Sequence, residues 1–250
     1  MPTLIEQAHE RQWFYTYQLP DGSTTPTYHG IDIQSIHDTR WKMLDACITE
    51  RLGEDRSRLA AVDLASHQGW FAVNLAQSGF GRVQGIEARD SHVSDSRLVA
   101  DIFEMDNLAF RQGDVHGLDA DATGQFDLVM MLGLLYHLEN PVGALRTCRA
   151  LCKNLCLIET QIVPGMTGYV DYGSYQYVRP LEGSFGIIDE TADTHGPEAS
   201  ITGICLVPSL DALIWLLHKV GFSKVDVLEP PEDAYEQLKH HKRVMVAAQV

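Results

Sequence analysis

Between residues 59 and 160 the chain carries five short apolar runs: LAAVDLA at 59–65, RVQGIE at 82–87, LAFRQ at 108–112, FDLVMML at 126–132 and LCLIET at 155–160. Helix-spaced stretches at 69–79, 90–105 and 141–151 lie among them, and Pro141 suits a first helical turn. A run of successive apolar residues fits a strand covered on both faces. Strands joined through helices run parallel, with right-handed crossovers. This rhythm predicts a Rossmann-like α/β sheet.

The rhythm stops after residue 160. Residues 163–205 are rich in Gly, Tyr, Pro and acidic side chains, and are expected to form a cap inserted after the fifth strand. A helix returns at 208–220 and ends at Gly221. Strands at 224–228 and 243–249 follow, with only the polar EPPEDAYEQLKHH between them. Consecutive strands without a crossover helix pair antiparallel. The expected fold is therefore α/β: a seven-stranded, mostly parallel sheet with one antiparallel strand and helices on both faces. Upstream, residues 38–52 read as a helix capped by Asp38, with Trp41, Leu44, Ile48 and Leu52 on one face and Gly53 at its end. Residues 1–37 read as a lead-in, a hairpin or lid in which Trp13, Phe14, Tyr15 and Tyr17 precede the turn-forming PDGS. Residues 38–250 would form the main domain.

Composition narrows the partners. The net charge is −15, from 34 acidic and 19 basic residues, and the longest basic run is Lys239–Arg243. Nucleic-acid binding needs Lys and Arg against phosphates, so a polynucleotide partner is not expected and a small molecule is. No stretch approaches the roughly 20 apolar residues of a membrane span, and the N-terminus lacks a secretory pattern. The expected location is the cytoplasm, without a membrane partner. The five cysteines read as reduced thiols. Cys148 and Cys152 would share a helix and Cys156 the next strand, so no metal is expected.

The chemistry is carried by the turn in VDLASHQGWF, residues 62–71, at the carboxyl end of the first strand, where open α/β sheets bind ligands. Glu87 ends the second strand 24 residues after Asp63, placed for ribose hydroxyls, and Asp114 follows the third strand. Dinucleotides and S-adenosylmethionine both use such a set. A pyrophosphate requires close backbone approach through GxGxxG. Here Ala65 stands at the first glycine position and only Gly69 follows, which favours S-adenosylmethionine.

DLASHQGWFAVNLAQSGFGRVQGIEAR and MMLGLLYHLENPVGALR resemble the cofactor motifs and the post-strand-four segment of class I S-adenosylmethionine-dependent methyltransferases. Within that superfamily the chain is most similar by eye to tRNA wobble-uridine carboxymethyltransferases and to natural-product or sugar methyltransferases. The family pattern has Gly-Cys where this chain has Ala65–Ser66. The resemblance implies that Asp63, Leu64, Ala65, Ser66 and Gly69 border the methionine end of the cofactor, and that Trp70 and Phe71 belong to the cofactor site as well. It places Glu87 on the ribose, Ala88, Arg89, Asp114 and Val115 around adenine, and Leu132 and Gly133 beneath the sulfonium.

Tyr136 and His137 then overlook the reacting centre, and His137 has the chemistry of a general base. Tyr169, Tyr172, Tyr175, Tyr177 and Arg179 are substrate-pocket candidates, with Asp193 and His195 behind them. Arg40 and Trp41 could close over the cofactor, His67 could touch ligand, and Glu159 is either a substrate contact or a buried structural acid. The implied activity is O- or N-methylation of a small molecule. Two alternatives stand beside it: a tRNA wobble-uridine enzyme, and a non-catalytic cofactor-binding regulatory module. Composition leaves the oligomeric state open.

Overall fold

The computed structural model describes the chain except residues 1, 30–32, 173–174, 192, 194–195 and 201; along 170–172, 175–178 and 197 it describes the backbone. Strands β1 (Ala60–Leu64), β2 (Arg82–Glu87), β3 (Leu108–Gln112), β4 (Phe126–Leu132) and β5 (Cys152–Gln161) pair in parallel. The chain later adds β10 (Lys224–Leu228) and β11 (Arg243–Gln249), giving a seven-stranded sheet in the order β10-β11-β5-β4-β1-β2-β3. β11 runs antiparallel to both of its neighbours, as the missing crossover helix requires. Strand order reverses between β1 and β4, and this fixes where a ligand can enter.

Alternation along each strand feeds two cores. Ala61, Leu128, Met130, Leu155 and Leu157 pack under α2 (Gln34–Leu52), α3 (Trp70–Gln77) and α4 (Asp90–Ile102). Val62, Leu64, Val129, Met131 and Ile158 face the other way, under α6 (Pro141–Leu151) and a helix at Leu210–Val220. Each such buried Val, Leu, Ile or Met side chain contributes about 1.5–3 kcal/mol. The five cysteines are buried free thiols.

Four local readings need correction. α2 starts at Gln34, with Ile33 at its N-cap and no side-chain cap. Asp38 lies inside the helix and accepts from Gln34 Nε2 at 2.8 Å, so the expected boundary at residue 38 falls within an element. The lead-in opens with a helix, α1 (Leu4–His9), held by a reciprocal Thr3–Glu6 capping box. Cys152 begins β5 and does not extend α6. A one-turn helix, Glu236–Lys239, interrupts the polar link between β10 and β11.

The insertion consists of two antiparallel pairs, β6 (Thr167–Tyr172) with β7 (Tyr175–Glu182) and β8 (Phe185–Asp189) with β9 (Ile204–Pro208). β8 has no buried residue, so its sequence carries no two-residue alternation. Leu206 N donates to Leu138 O at 3.0 Å and so ties β9 to the loop after β4. The lead-in is bolted to the first turn: Tyr17 Oη donates to Gln68 O at 2.7 Å, and Phe14 N to Gln68 Oε1 at 2.7 Å. No helix among the described residues is long and apolar enough to cross a membrane.

Candidate functional site

A cavity of about 810 Å³ opens over the carboxyl ends of β1, β2 and β4. Its walls include Leu64, Ala65, Glu87, Ala88, Arg89, Asp114, Val115, Leu132, Gly133, Tyr136 and His137. The other first-turn candidates stand behind that wall. Ser66 and Asp63 are buried, and Trp70 and Phe71 pack against Tyr15 and His37. Gly69 serves packing, because a Cβ there would lie 2.6 Å from Phe110 Cζ.

The turn is left-handed twice without glycine, at Ala65 (φ 58°) and His67 (φ 51°). That conformation costs a non-glycine residue roughly 1–2 kcal/mol. Glycine relieves it, less about 0.5–1 kcal/mol of extra unfolded-state entropy. Ala65→Gly should therefore raise the melting temperature by roughly 2 °C; a lowered one in scanning calorimetry would show that the Ala65 methyl group is needed.

Glu87 organises the turn. Its Oε2 accepts from His67 N and its Oε1 from Arg89 N, both at 2.9 Å, which leaves lone pairs for a diol at the cavity wall. Asp63 is 2% exposed and its Oδ2 has no hydrogen-bond partner. Burial, and then Glu87, pushes its pKa up to about 8. The folded chain thus keeps a proton that the unfolded chain gives up near pH 4. Asp63's contribution is full below that pH and is lost as pH rises through about 8. The melting temperature of Asp63→Asn relative to wild type should climb between those limits and then level off. A difference that stays flat with pH in thermal melts would contradict the protonated Asp63.

Asp114 Oδ1 accepts from His116 N at 2.8 Å, so one oxygen caps the local turn while the residue lines the cavity. His37, fully buried on α2, also lines the cavity with both ring nitrogens unpartnered, and burial holds its pKa well below the usual range.

The far wall holds a charged network. Glu159 at the end of β5 meets Arg40 Nη2 at 3.0 Å and Arg243 Nη1 at 3.1 Å, and all three are buried. Arg243 also donates to Tyr136 Oη at 2.8 Å and to Gln237 Oε1 at 2.7 Å. Burial alone would raise the Glu159 pKa, but the two guanidiniums outweigh it and hold the carboxyl below its ordinary range. Two cations share one anion beside Gly133, where a Cβ would lie 3.8 Å from both Arg40 Nη2 and Glu159 Oε2. Arg40 and Arg243 line the cavity; Glu159 sits behind them as the structural acid.

Lead-in and insertion meet at the cavity wall. Glu198 accepts from Tyr28 Oη at 2.7 Å and pairs with His67 Nε2 at 2.8 Å, and Arg89 Nη2 donates to Ala199 O at 3.1 Å. Beside them, His137 Nδ1 lies 2.6 Å from Glu190 Oε2. Tyr169 is 76% exposed and Arg179 is exposed on β7, and neither lines the cavity. Asp193 is exposed as well. The side chains of Tyr172, Tyr175 and Tyr177, and His195, lie outside the described residues.

Sequence reasoning missed Arg243, noted there only as the end of the basic run Lys239–Arg243 and the first residue of the last strand, together with His37, Glu190 and Glu198. A charged residue opening an otherwise apolar strand was the one available signal, at Arg243. The others depend on contacts that only the fold creates.

The cradle fits a nucleoside without phosphate: a carboxylate faces the cavity, unpartnered polar atoms border it, and no glycine-rich phosphate loop is present. Sheet order and cradle together define a class I S-adenosylmethionine-dependent methyltransferase domain. The family model described as "Methyltransferase domain" matches residues 37–227, and the chain belongs to that family. It is 25% identical over 226 residues to a tRNA U34 carboxymethyltransferase of Desulfotalea psychrophila, covering 89% of this chain and 62% of that protein. It is 27% identical over 92 residues to a ubiquinone biosynthesis O-methyltransferase of Acinetobacter baylyi, covering 37% and 38% of the two chains. The N-terminal domain of EvdMO1, solved with SAH and D-fucose, superposes with a TM-score of 0.67 at 21% identity, over 95% of this chain and 91% of that one, which shows the fold. The chain thus spans about three-fifths of the length of the carboxymethyltransferase.

Proposed function

We propose that the chain methylates a small-molecule acceptor from S-adenosylmethionine, with Tyr136 and His137 facing the transferred group. The observation that carries this reading is that the insertion joins the cavity wall, where Glu198 meets Tyr28 and His67 and Ala199 meets Arg89, so that Tyr136 and His137 line a concave pocket and not an open groove. A strongly acidic chain also suits a small acceptor better than a polyanion. The protein's share of the reaction is alignment and exclusion of water. Leu132 and Gly133 would form the floor beneath the sulfur and Glu87 would hold the ribose.

One observation favours a second reading. The surplus guanidinium beside Gly133 suits an extra carboxylate on the transferred group, as in the carboxymethyl transfer named in the tRNA-acting relative. Incubation of the chain with S-adenosylmethionine labelled on its methyl carbon, or with its S-carboxymethyl analogue labelled on the transferred carbon, each in the presence of a metabolite filtrate or total tRNA, distinguishes the two. Label in a metabolite supports the proposal; label in tRNA alone overturns it.

A further inference from the structure

His137 closes the 3-10 turn Leu135–His137 just after Gly133, and it lines the cavity. Its Nδ1 faces Glu190 Oε2 at 2.6 Å. Glu190 is buried and comes from the insertion, just past β8. It is held at both ends: Glu190 N donates to Gly203 O at 3.0 Å, and Ser200 N donates to Oε2 at 2.7 Å. Among the described residues, the titratable groups nearby include Cys205, whose Sγ is 3.5 Å from Glu190 Oε2, Tyr136, whose ring centroid is 4.0 Å from that of His137, and Arg243 behind Tyr136. Burial, and then Glu190, pushes the Cys205 thiol up to about 11, so it stays protonated.

A carboxylate on Nδ1 fixes the imidazole tautomer. The neutral ring keeps its proton on Nδ1 and its basic lone pair on Nε2, and the imidazolium formed on proton uptake is stabilised. A fixed base is informative about the acceptor. A neutral amine can attack first and lose its proton afterwards, and a carboxylate is already ionised. An alcohol or phenol gains from proton removal during transfer.

We infer that Glu190 is a positioning residue that makes His137 the general base, and that the acceptor atom is a hydroxyl oxygen. The inference rests on the methyl-transfer reading above. The hydroxyl oxygen forms the bond to the methyl carbon and the carbon–sulfur pair returns to sulfur. The hydroxyl proton passes to His137 Nε2 and leaves to solvent after the product.

The test uses the full chain with nitrogen-labelled histidine and S-adenosylhomocysteine bound, His137→Asn assigning the resonance. Wild type should show His137 protonated on Nδ1. Glu190→Gln keeps a hydrogen-bond acceptor, so calorimetry should give S-adenosylhomocysteine affinity within about twofold of wild type. The same variant should lose roughly 10- to 100-fold in kcat on the labelled acceptor with little change in KM, and the acidic limb of its pH profile should move. The labelled product should be a methyl ether. His137 protonated on Nε2 overturns the inference, as does an N-methyl or methyl-ester product. So does Glu190→Gln with unchanged kcat and an unmoved pH profile. S-adenosylhomocysteine affinity reports on the underlying methyl-transfer reading independently of these outcomes.

Discussion

Glu159→Ala should lower the melting temperature by roughly 10 °C, the largest stability loss expected of any single change at the site. Removing one partner of a buried ion network costs about 3–5 kcal/mol, because the remaining charges lose their compensation. In a domain of this size each kcal/mol moves the midpoint by roughly 2–4 °C. Glu159→Ala leaves Arg40 and Arg243 facing each other inside the protein, with Arg243 still tied to Tyr136 and Gln237. The effect has a pH signature. The Glu159 pKa is depressed on folding, so its stabilisation is present above the unfolded value near 4.3 and is lost as pH falls through the lower folded value. The gap between wild type and Glu159→Gln should hold steady around neutrality and shrink below about pH 4. A loss under about 1 kcal/mol in denaturant titration would mean the network is solvated and contributes as a surface pair does.

Glu87→Ala should weaken S-adenosylhomocysteine binding by about 100-fold, which is the loss of two charged hydrogen bonds at roughly 1.5 kcal/mol each. Glu87→Gln, which keeps an acceptor, should lose about 10-fold. Because Glu87 also receives His67 N and Arg89 N, the variant removes both a ligand and a brace for the turn. Asp114→Ala is the comparison: it removes a cap on an exposed turn and should cost only a few-fold. Equal losses for the two variants in calorimetry would remove Glu87 from its central position.

What could be read in the sequence follows the distance over which each feature is determined. The strands of the main sheet are encoded locally, and residues 224–228 and 243–249 coincide with β10 and β11. Their antiparallel relation was legible from the absence of a long helix between them. The start of α2 was not, because its N-terminal half carries His37, Thr39 and Arg40 inward, and these break the apolar stripe. The insertion strands were hidden for the opposite reason, since strands without a covered face need no alternation. Glu87 was legible because β2 carries it directly to the cavity. The Arg243 network was not: Arg243 lies 84 residues from Glu159 and 107 from Tyr136, and the antiparallel register of β11 on β5 brings them together. Glu190 lies 53 residues from His137 and Glu198 lies 131 from His67, and both arrive on an insertion whose composition says little about where it docks.

The central claim is that the bend after β1, with Glu87 behind it, holds an adenosyl amino acid and no diphosphate. Calorimetric titration of the wild-type chain with S-adenosylhomocysteine, and separately with NAD, tests it most directly. The account predicts saturable one-to-one binding of the first and no heat from the second. Saturable binding of NAD with none of S-adenosylhomocysteine would contradict it.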